Sequence, residues 1–186
     1  MKYTSIDIGT NTVLLLIMDM DKMPEDILDM SIITRLGEGL KRGGVLSEKA
    51  MERTFSALQE YKRIAESHGV KEIYCVGTNA LREARNSQQF LERLKEELGI
   101  SVRVISEHDE AYYTYLSIKH DKPIKAEEYL IVDIGGGSTE IIKGDRNRFI
   151  DYVSLPVGSV KLTEMFIKSN PPEEYELKAL NAFLKD

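Results

Sequence analysis

One short pattern occurs twice in this chain, and it constrains the fold more than any other feature of the sequence. Residues 6–12 read IDIGTNT, and residues 132–138 read VDIGGGS. In each copy an apolar stretch carries an aspartate near its end, small residues follow, and a second apolar stretch begins. This order predicts two β-hairpins, each with an aspartate beside a tight turn. One glycine motif alone is a weak signal, but two matching copies indicate a duplicated structure.

The two predicted turns have the composition of a phosphate-binding site. Glycine lets the backbone approach a ligand closely, and successive N–H groups in a tight turn form an anion-binding concavity. Asp7 and Asp133 stand beside these turns, where a carboxylate can hold a divalent cation that contacts phosphate oxygens. Two such hairpins facing each other would grip a phosphate chain from both sides. The alternative interpretation is a pair of ordinary hairpins with glycine turns.

Composition and charge argue against several other classes of protein. The chain of 186 residues has a net charge of −6, so it lacks the basic footprint of a nucleic-acid-binding protein. The longest uninterrupted apolar run, Val13 to Met18, is far shorter than a membrane span, and no signal peptide is expected. The single cysteine, Cys75, excludes an intramolecular disulfide and makes a cytoplasmic location the default expectation.

The first half of the chain predicts an N-terminal domain at residues 1–119 with a β-β-β-α-β-α-β-α order. Strands are expected at 2–8, 13–20, 26–34, 72–77 and 101–105. Ser47 is predicted to cap a long helix over 48–67, and Ser87 is predicted to cap a later helix that ends at Gly99. A short helix is expected to begin at Thr78–Asn79, and another helix should end near His120.

A polar segment at 120–128, which contains Pro123, predicts a hinge, and the pattern then restarts. Strands are expected at 129–134, 139–143 and 148–155, followed by helices that begin at Gly158 and Glu173. This second domain, at 129–186, has no counterpart of the later strands of the first. We therefore expect it to be incomplete, with one sheet edge unpaired, so that the chain is a fragment or is completed by a partner.

An acidic cluster follows the predicted strand at 101–105. Glu107, Asp109 and Glu110 would lie in the first turn of a helix, where the helix dipole favours acids. For Glu107 and Asp109, this structural role is as good an explanation as a functional one. Glu110 is the candidate catalytic residue of the cluster. Arg82 follows Thr78–Asn79 in the short helix, and its planar guanidinium suits phosphate. His108 is a lone histidine and is not expected to bind metal.

Taken together, these motifs resemble the exopolyphosphatase/guanosine pentaphosphate phosphohydrolase (Ppx/GppA) family of the actin-like ATPase superfamily. The resemblance covers nearly the whole chain in order and is most specific from Asp133 to Glu140. It rests on the segments 6–12, 35–40, 77–84, 104–106 with 110–111, 132–140 and 154–160. It implies an α/β, actin-like (ribonuclease H-like) fold of duplicated β-β-β-α-β-α-β units, here with a complete first domain and a truncated second one.

The resemblance also implies a hydrolase that uses Mg²⁺ or another divalent cation to release the terminal phosphate of inorganic polyphosphate or of pppGpp. Glu110 and Glu140 would be catalytic, and Glu110 would position or deprotonate the attacking water. Asp7, Asp133 and Glu140 would serve the metal. The phosphate-binding residues would be Gly9, Thr10, Asn11, Thr12, Arg82, Gly135, Gly136, Gly137 and Ser138. Such a site suits phosphoryl transfer, in which positioning and electrostatics provide most of the catalysis.

Two other functions stay open at this point. A nucleotide-binding actin-like module, such as a sugar kinase, would need an adenosine pocket in the later half of the second domain. A non-catalytic module would bind phosphate chains without cleaving them. Leu14 and Lys161 stand where members of the family often carry arginine, which puts contacts to a long substrate chain in question. The unpaired sheet edge is compatible with a homodimer, whereas nucleic acid and membrane are not expected as partners.

Overall fold

In a computed structural model of the protein, the strands and helices follow the predicted order in both halves of the chain. The structure describes residues 1–21, 25–41, 43–70, 72–120 and 126–185. The chain divides into two compact units, Met1–Glu110 and Ala111–Asp186, and each unit holds one sheet. The domain limits at 119 and 129 stay a prediction, and most of the predicted hinge lies outside the described residues.

The first unit is built on a five-stranded sheet with the spatial order β3-β2-β1-β4-β5. Its strands are β1 (Lys2–Ile8), β2 (Thr12–Asp19), β3 (Glu25–Ile33), β4 (Ile73–Gly77) and β5 (Val102–Val104). The three strands of the meander are antiparallel, whereas β4 runs parallel to β1 and β5 runs parallel to β4. The predicted meander is confirmed, and the parallel pairing brings the ends of β1 and β4 to one edge of the sheet.

The core of the first unit lies on one face of this sheet. Strand β2 buries Val13, Leu15 and Ile17 completely, because alternate residues of a strand point to the same face. Helix α1 (Glu48–Ser67) packs on β2, and the hydroxyl of its buried Tyr61 donates to the carbonyl of Val13 at 3.1 Å. The side chain of Ser47 accepts from the N–H of Ala50, which confirms the predicted cap.

One predicted helix cap is wrong. Helix α3 (Ser87–Leu98) includes Ser87 as its first residue, and Asn86 occupies the N-cap position. Asn86 does not cap the helix through its side chain, because that amide binds the backbone of Leu46, with bonds of 2.8 and 3.0 Å. Gly99 ends the helix in the left-handed conformation, as predicted. The remaining helices of this half are α2 (Asn79–Glu83) and α4 (Glu107–His120).

The second unit repeats the antiparallel meander as a three-stranded sheet. Its elements are β6 (Glu128–Ile134), β7 (Thr139–Asp145), β8 (Phe149–Leu155), α5 (Ser159–Phe166) and α6 (Glu174–Phe183). Ala111 and Tyr115 of α4 pack with Tyr129 and Ile142 on one face of the sheet. The other face carries Leu130, Val132 and Ile134, which are 73%, 56% and 67% exposed. No helix in the described ranges has the length and apolar character needed to cross a membrane.

A buried glutamate joins helix α6 to the segment that follows α5. Glu176 is 1% exposed, and its carboxylate accepts from the hydroxyl of Ser169 and from the N–H groups of Glu173, Lys168 and Ser169. Hydrogen bonds to a carboxylate favour its charged form. They lower the pKa of Glu176 to about 2, and the bond from Ser169 has the largest effect.

Replacing Glu176 with Gln is expected to loosen this junction at neutral pH, because an amide nitrogen cannot accept a hydrogen bond. Hydrogen exchange at the N–H groups of Lys168, Ser169 and Glu173 should become faster. The pKa is lower in the folded state, so the stabilisation is complete above the ordinary value of 4.5 and is lost as the pH falls towards about 2.

The control for this prediction is Glu174→Gln, which removes an exposed carboxylate of the same helix that pairs with Lys178 across one turn. Exchange at the three N–H groups should stay as in the unmodified protein. Unchanged exchange in Glu176→Gln as well would contradict the assigned role of Glu176.

Candidate active site

The first turn, residues 9–12, has its carbonyl groups bound by the segment that follows β3. The carbonyl of Thr10 accepts from the N–H of Gly37 at 2.8 Å, and that of Asn11 accepts from Thr34 and Arg35 at 3.0 and 2.8 Å. Within the described residues, the N–H groups of Thr10 and Asn11 donate no backbone hydrogen bond. The turn therefore presents donors rather than acceptors to a ligand, which suits an anion.

The second turn, residues 135–138, is held in the same way by the start of helix α5. The carbonyl of Gly135 accepts from the N–H of Ser159 at 2.9 Å, and the carbonyl of Gly136 accepts from Val160 at 3.0 Å. Neither Gly136 nor Gly137 donates its N–H to a carbonyl in the part of the chain that the structure describes. In the described chain, the two central N–H groups of each predicted phosphate-binding turn thus lack a backbone acceptor, whereas the first N–H of each turn donates to the carbonyl of its last residue.

Two glycines outside the turns make these contacts sterically feasible. A Cβ atom on Gly37 would lie 2.4 Å from Cγ2 of Thr10 in the first turn. A Cβ atom on Gly158 would lie 2.6 Å from the carbonyl carbon and oxygen of Gly136 in the second turn. Distances this short are not tolerated, and Gly158 is the stricter case because it meets backbone rather than a methyl group. Each turn therefore depends on a glycine about 22 to 28 residues further along the chain.

Two carboxylates of the second unit form a pair at the base of the second turn. Asp133 on β6 and Glu140 on β7 are directly opposite in the antiparallel ladder. Their side chains therefore share one face of the sheet, with Cβ atoms about 5 Å apart. Glu140 is 3% exposed and its Oε1 accepts from the hydroxyl of Ser154 at 2.8 Å. The Oδ2 atom of Asp133 accepts from the hydroxyl of Thr114 at 3.1 Å.

This acidic pair could hold a divalent cation, whose remaining ligands would then come from substrate and water. No group of three or more metal-binding side chains occurs among the described residues. Mg²⁺ commonly binds proteins through one or two carboxylates together with waters and substrate phosphates, and Asp133 and Glu140 supply two carboxylates. Asp7 lies in the first unit on β1, opposite Leu14 and Val76. Burial raises the pKa of the neighbouring Cys75 thiol, and the charge of Asp7 adds to this effect.

Arg82 and Glu110 form an ion pair in the first unit. Nη1 of Arg82 donates to Oε2 of Glu110 at 2.7 Å and to the carbonyl of Ile105 at 2.9 Å. The two side chains are 16% and 21% exposed. The other terminal nitrogen, Nη2, is buried and has no hydrogen-bond partner among the described residues. A buried donor without a partner is costly, and a phosphate oxygen would satisfy it.

The rest of the acidic cluster has structural contacts. Asp109 pairs with Arg103 at 3.3 Å, and its N–H donates to the hydroxyl of Ser106 at 3.0 Å. These contacts agree with a role at the start of α4. Glu107 belongs to the same first turn.

Thr114, Ser154 and Gly37 were not among the predicted site residues, although Gly37 and Ser154 lie in segments that carry the family resemblance. Thr114 lies four residues after Glu110 on α4, a spacing that puts two side chains on one helix face, and this signal could have been used. Ser154 lies opposite Glu140 in the β7–β8 ladder, a pairing that depends on the strand register. The glycine-rich segment 35–40 drew attention to the loop that holds Gly37, but the contact of Gly37 with Thr10 depends on the tertiary fold.

Gly158→Ala is expected to displace the second turn, because the new methyl group would overlap the Gly136 carbonyl. The amide resonances of Gly136 and Gly137 should shift in a ¹H–¹⁵N spectrum. Gly69→Ala is the control. It strains a left-handed backbone, φ 71°, but the added methyl group meets no atom of the described residues within 4 Å. It should cost about 1 kcal/mol without moving those resonances. Unmoved resonances in Gly158→Ala would show that Gly158 does not support the turn.

Comparison with known proteins relates the whole chain to one family. The family described as Ppx/GppA phosphatase family matches residues 16–186. Exopolyphosphatase 1 of Mycobacterium bovis is 30% identical over 186 residues, covering 99% of this chain and 54% of that protein. The Aquifex aeolicus PPX-GPPA enzyme is 40% identical with a TM-score of 0.77, covering 99% of this chain and 62% of that one. An exopolyphosphatase from Cytophaga hutchinsonii is 30% identical with a TM-score of 0.90, and the chain covers 60% of it.

The chain thus spans between 54% and 62% of the length of these relatives. A more distant structure, the ethanolamine utilization protein EutJ from Carboxydothermus hydrogenoformans, shares the fold at 15% identity and a TM-score of 0.57. The predicted actin-like fold is confirmed. Since the family match extends over almost all of the sequence, this chain belongs to the Ppx/GppA phosphatase family.

Proposed function

We propose that this chain carries the phosphate-binding and acidic residues of a metal-dependent phosphohydrolase that releases the terminal phosphate of inorganic polyphosphate. The family relationship supports this proposal, since similar proteins are described as exopolyphosphatases. The observation that carries it is shared by the two turns: each has carbonyl oxygens bound from outside, while its two central N–H groups have no backbone acceptor among the described residues. Phosphate oxygens only accept hydrogen bonds, so they match such turns better than any neutral ligand does.

Arg82 supplies a further contact for phosphate in this proposal. Its Nη2 atom is buried and has no hydrogen-bond partner in the described part of the chain, while Nη1 is bound to Glu110 and to the carbonyl of Ile105. A guanidinium can therefore bind the carboxylate along one edge and a phosphate oxygen along the other. The positive charge also offsets the repulsion between these two anions.

Glu110 acts on the attacking water in the proposed reaction. The water oxygen forms a bond to the terminal phosphorus, the bond from phosphorus to the bridging oxygen breaks, and the shortened chain leaves with that oxygen. Glu110 orients the water and accepts its proton, and the ion pair with Arg82 fixes the orientation of the carboxylate. A loose transition state needs little from the base, so positioning provides most of its effect.

Asp133 and Glu140 would hold the divalent cation, with Asp7 assisting. A bound Mg²⁺ supplies positive charge to the oxygens of the transferred phosphate. The alternative substrate is pppGpp, whose 5′ end carries the same terminal phosphoanhydride. We further propose a cytoplasmic location, on the grounds of the single buried cysteine.

The test is release of phosphate from long-chain polyphosphate and from pppGpp, with Mg²⁺ and with EDTA. It should be run on this chain and on the longer protein, if its gene encodes one. Metal-dependent release supports the proposal, and the faster substrate identifies the subclass. Release by the longer protein alone would make this chain a phosphate-chain-binding part of the enzyme. Release by neither would contradict hydrolysis and favour a binding module.

Glu110→Ala is expected to lower turnover by about 10² or more, as for the loss of a positioned catalytic carboxylate. Binding of tripolyphosphate, measured by calorimetry, should be largely kept. Glu107→Ala removes an exposed carboxylate from the same helical turn and should leave turnover unchanged. If turnover survives in Glu110→Ala, this residue does not act on the water.

A further inference from the structure

Two hydroxyl groups outside the turns hold the acidic pair of the second unit. Thr114 on α4 donates to Oδ2 of Asp133 on β6 at 3.1 Å. Ser154 on β8 donates to Oε1 of Glu140 on β7 at 2.8 Å. Each hydroxyl comes from a different element than the carboxylate it binds. The pair is thus fixed from two sides, by a helix packed on the sheet and by a neighbouring strand.

Each hydroxyl binds one oxygen of its carboxylate. The second oxygens, Oδ1 of Asp133 and Oε2 of Glu140, accept no hydrogen bond within the part of the chain that the structure describes. A carboxylate has lone pairs on both oxygens, and hard cations bind such oxygens. The hydroxyl contacts therefore leave one oxygen of each carboxylate for another ligand.

The two hydroxyls also counteract the electrostatic repulsion between the carboxylates of Asp133 and Glu140. Like charges directly opposite each other on neighbouring strands repel, and free side chains would rotate apart. A hydrogen bond from Thr114 or Ser154 restricts the rotation of its carboxylate. Without these bonds, the two carboxylates would have to be brought together at the moment when a cation binds.

We propose that Thr114 and Ser154 are positioning residues that hold Asp133 and Glu140 in the arrangement that binds a divalent cation. This inference rests on the proposed function, because it takes the two carboxylates as cation ligands. Groups that orient metal ligands in this way commonly change metal affinity by about 10- to 100-fold when they are removed. A hydroxyl that only satisfied a buried carboxylate would affect folding stability and leave cation affinity unchanged.

The experiment is a titration of this chain with Mn²⁺, followed by electron paramagnetic resonance of the unbound ion. Thr114→Val keeps the shape of the side chain and removes its hydroxyl, and Ser154→Ala removes the other hydroxyl. Each should raise the dissociation constant for Mn²⁺ by about tenfold or more. Thr114→Ser keeps the hydroxyl and should bind Mn²⁺ nearly as well as the unmodified chain.

Two further variants separate the possible failures. Ser117→Ala removes a hydroxyl of the same helix that donates to the backbone carbonyl of Thr114 rather than to a carboxylate. Its Mn²⁺ affinity should not change. Asp133→Asn removes a proposed ligand and should weaken binding most. Circular dichroism at increasing temperature identifies any variant that is unfolded, and a folded Ser154→Ala is informative even if Thr114→Val is not.

The outcomes distinguish this inference from the function on which it rests. Weaker binding in Thr114→Val and Ser154→Ala, with recovery in Thr114→Ser, supports the positioning role. Unchanged binding in both, while Asp133→Asn binds poorly, overturns the positioning role and keeps the cation site. No binding by the unmodified chain, or full binding by Asp133→Asn, overturns the cation site and this inference with it.

Discussion

The candidate site depends on hydrogen bonds that N–H groups from other segments donate to the carbonyl oxygens of the two tight turns. A turn that binds an anion must present N–H groups, yet every residue also brings a carbonyl oxygen that repels the anion. In both units the chain solves this by returning after the third strand of a meander. Residues 34–37 reach the first turn and residues 159–161 reach the second. A two-stranded hairpin alone would lack these donors, so the third strand is part of the requirement for the site.

The two units meet this requirement with different local structures. In the first unit the donors belong to an irregular segment that includes Arg35, which has a positive φ of 50°. In the second they are the first N–H groups of α5, which would otherwise lack partners at the helix start. These N–H groups at the start of α5 are therefore already bonded to the turn. The two units therefore share a pattern of hydrogen bonds within each unit, although different secondary structures provide the donors.

Much of the fold could be predicted because it follows from local chemistry. Apolar runs and glycine or proline turns located all eight strands of the described chain to within about a residue or two, and Ser47 marked the start of α1. Ser87 was misassigned because Asn86 binds a distant backbone segment at Leu46. Contacts between residues distant in sequence also limit prediction of the site. The motifs pointed to the turns and the acids, but the partners of Asp133 and Glu140 depend on strand register and helix packing.

The ion pair of Arg82 and Glu110 shows how tertiary contacts couple the roles that are predicted separately for two motif residues. From the sequence, Arg82 is predicted to bind phosphate through its positive charge, and Glu110 is predicted to act on the attacking water. In the structure they form an ion pair at 2.7 Å through Nη1, and Nη2 is buried with no partner among the residues that are described. A lysine has a single charged nitrogen and lacks the planar fork that bridges two anions with fixed geometry. If phosphate binds at Nη2, one rigid group sets the position of the phosphate relative to Glu110, the carboxylate proposed to orient the water. Substrate binding and the proposed water activation would then be linked through Arg82.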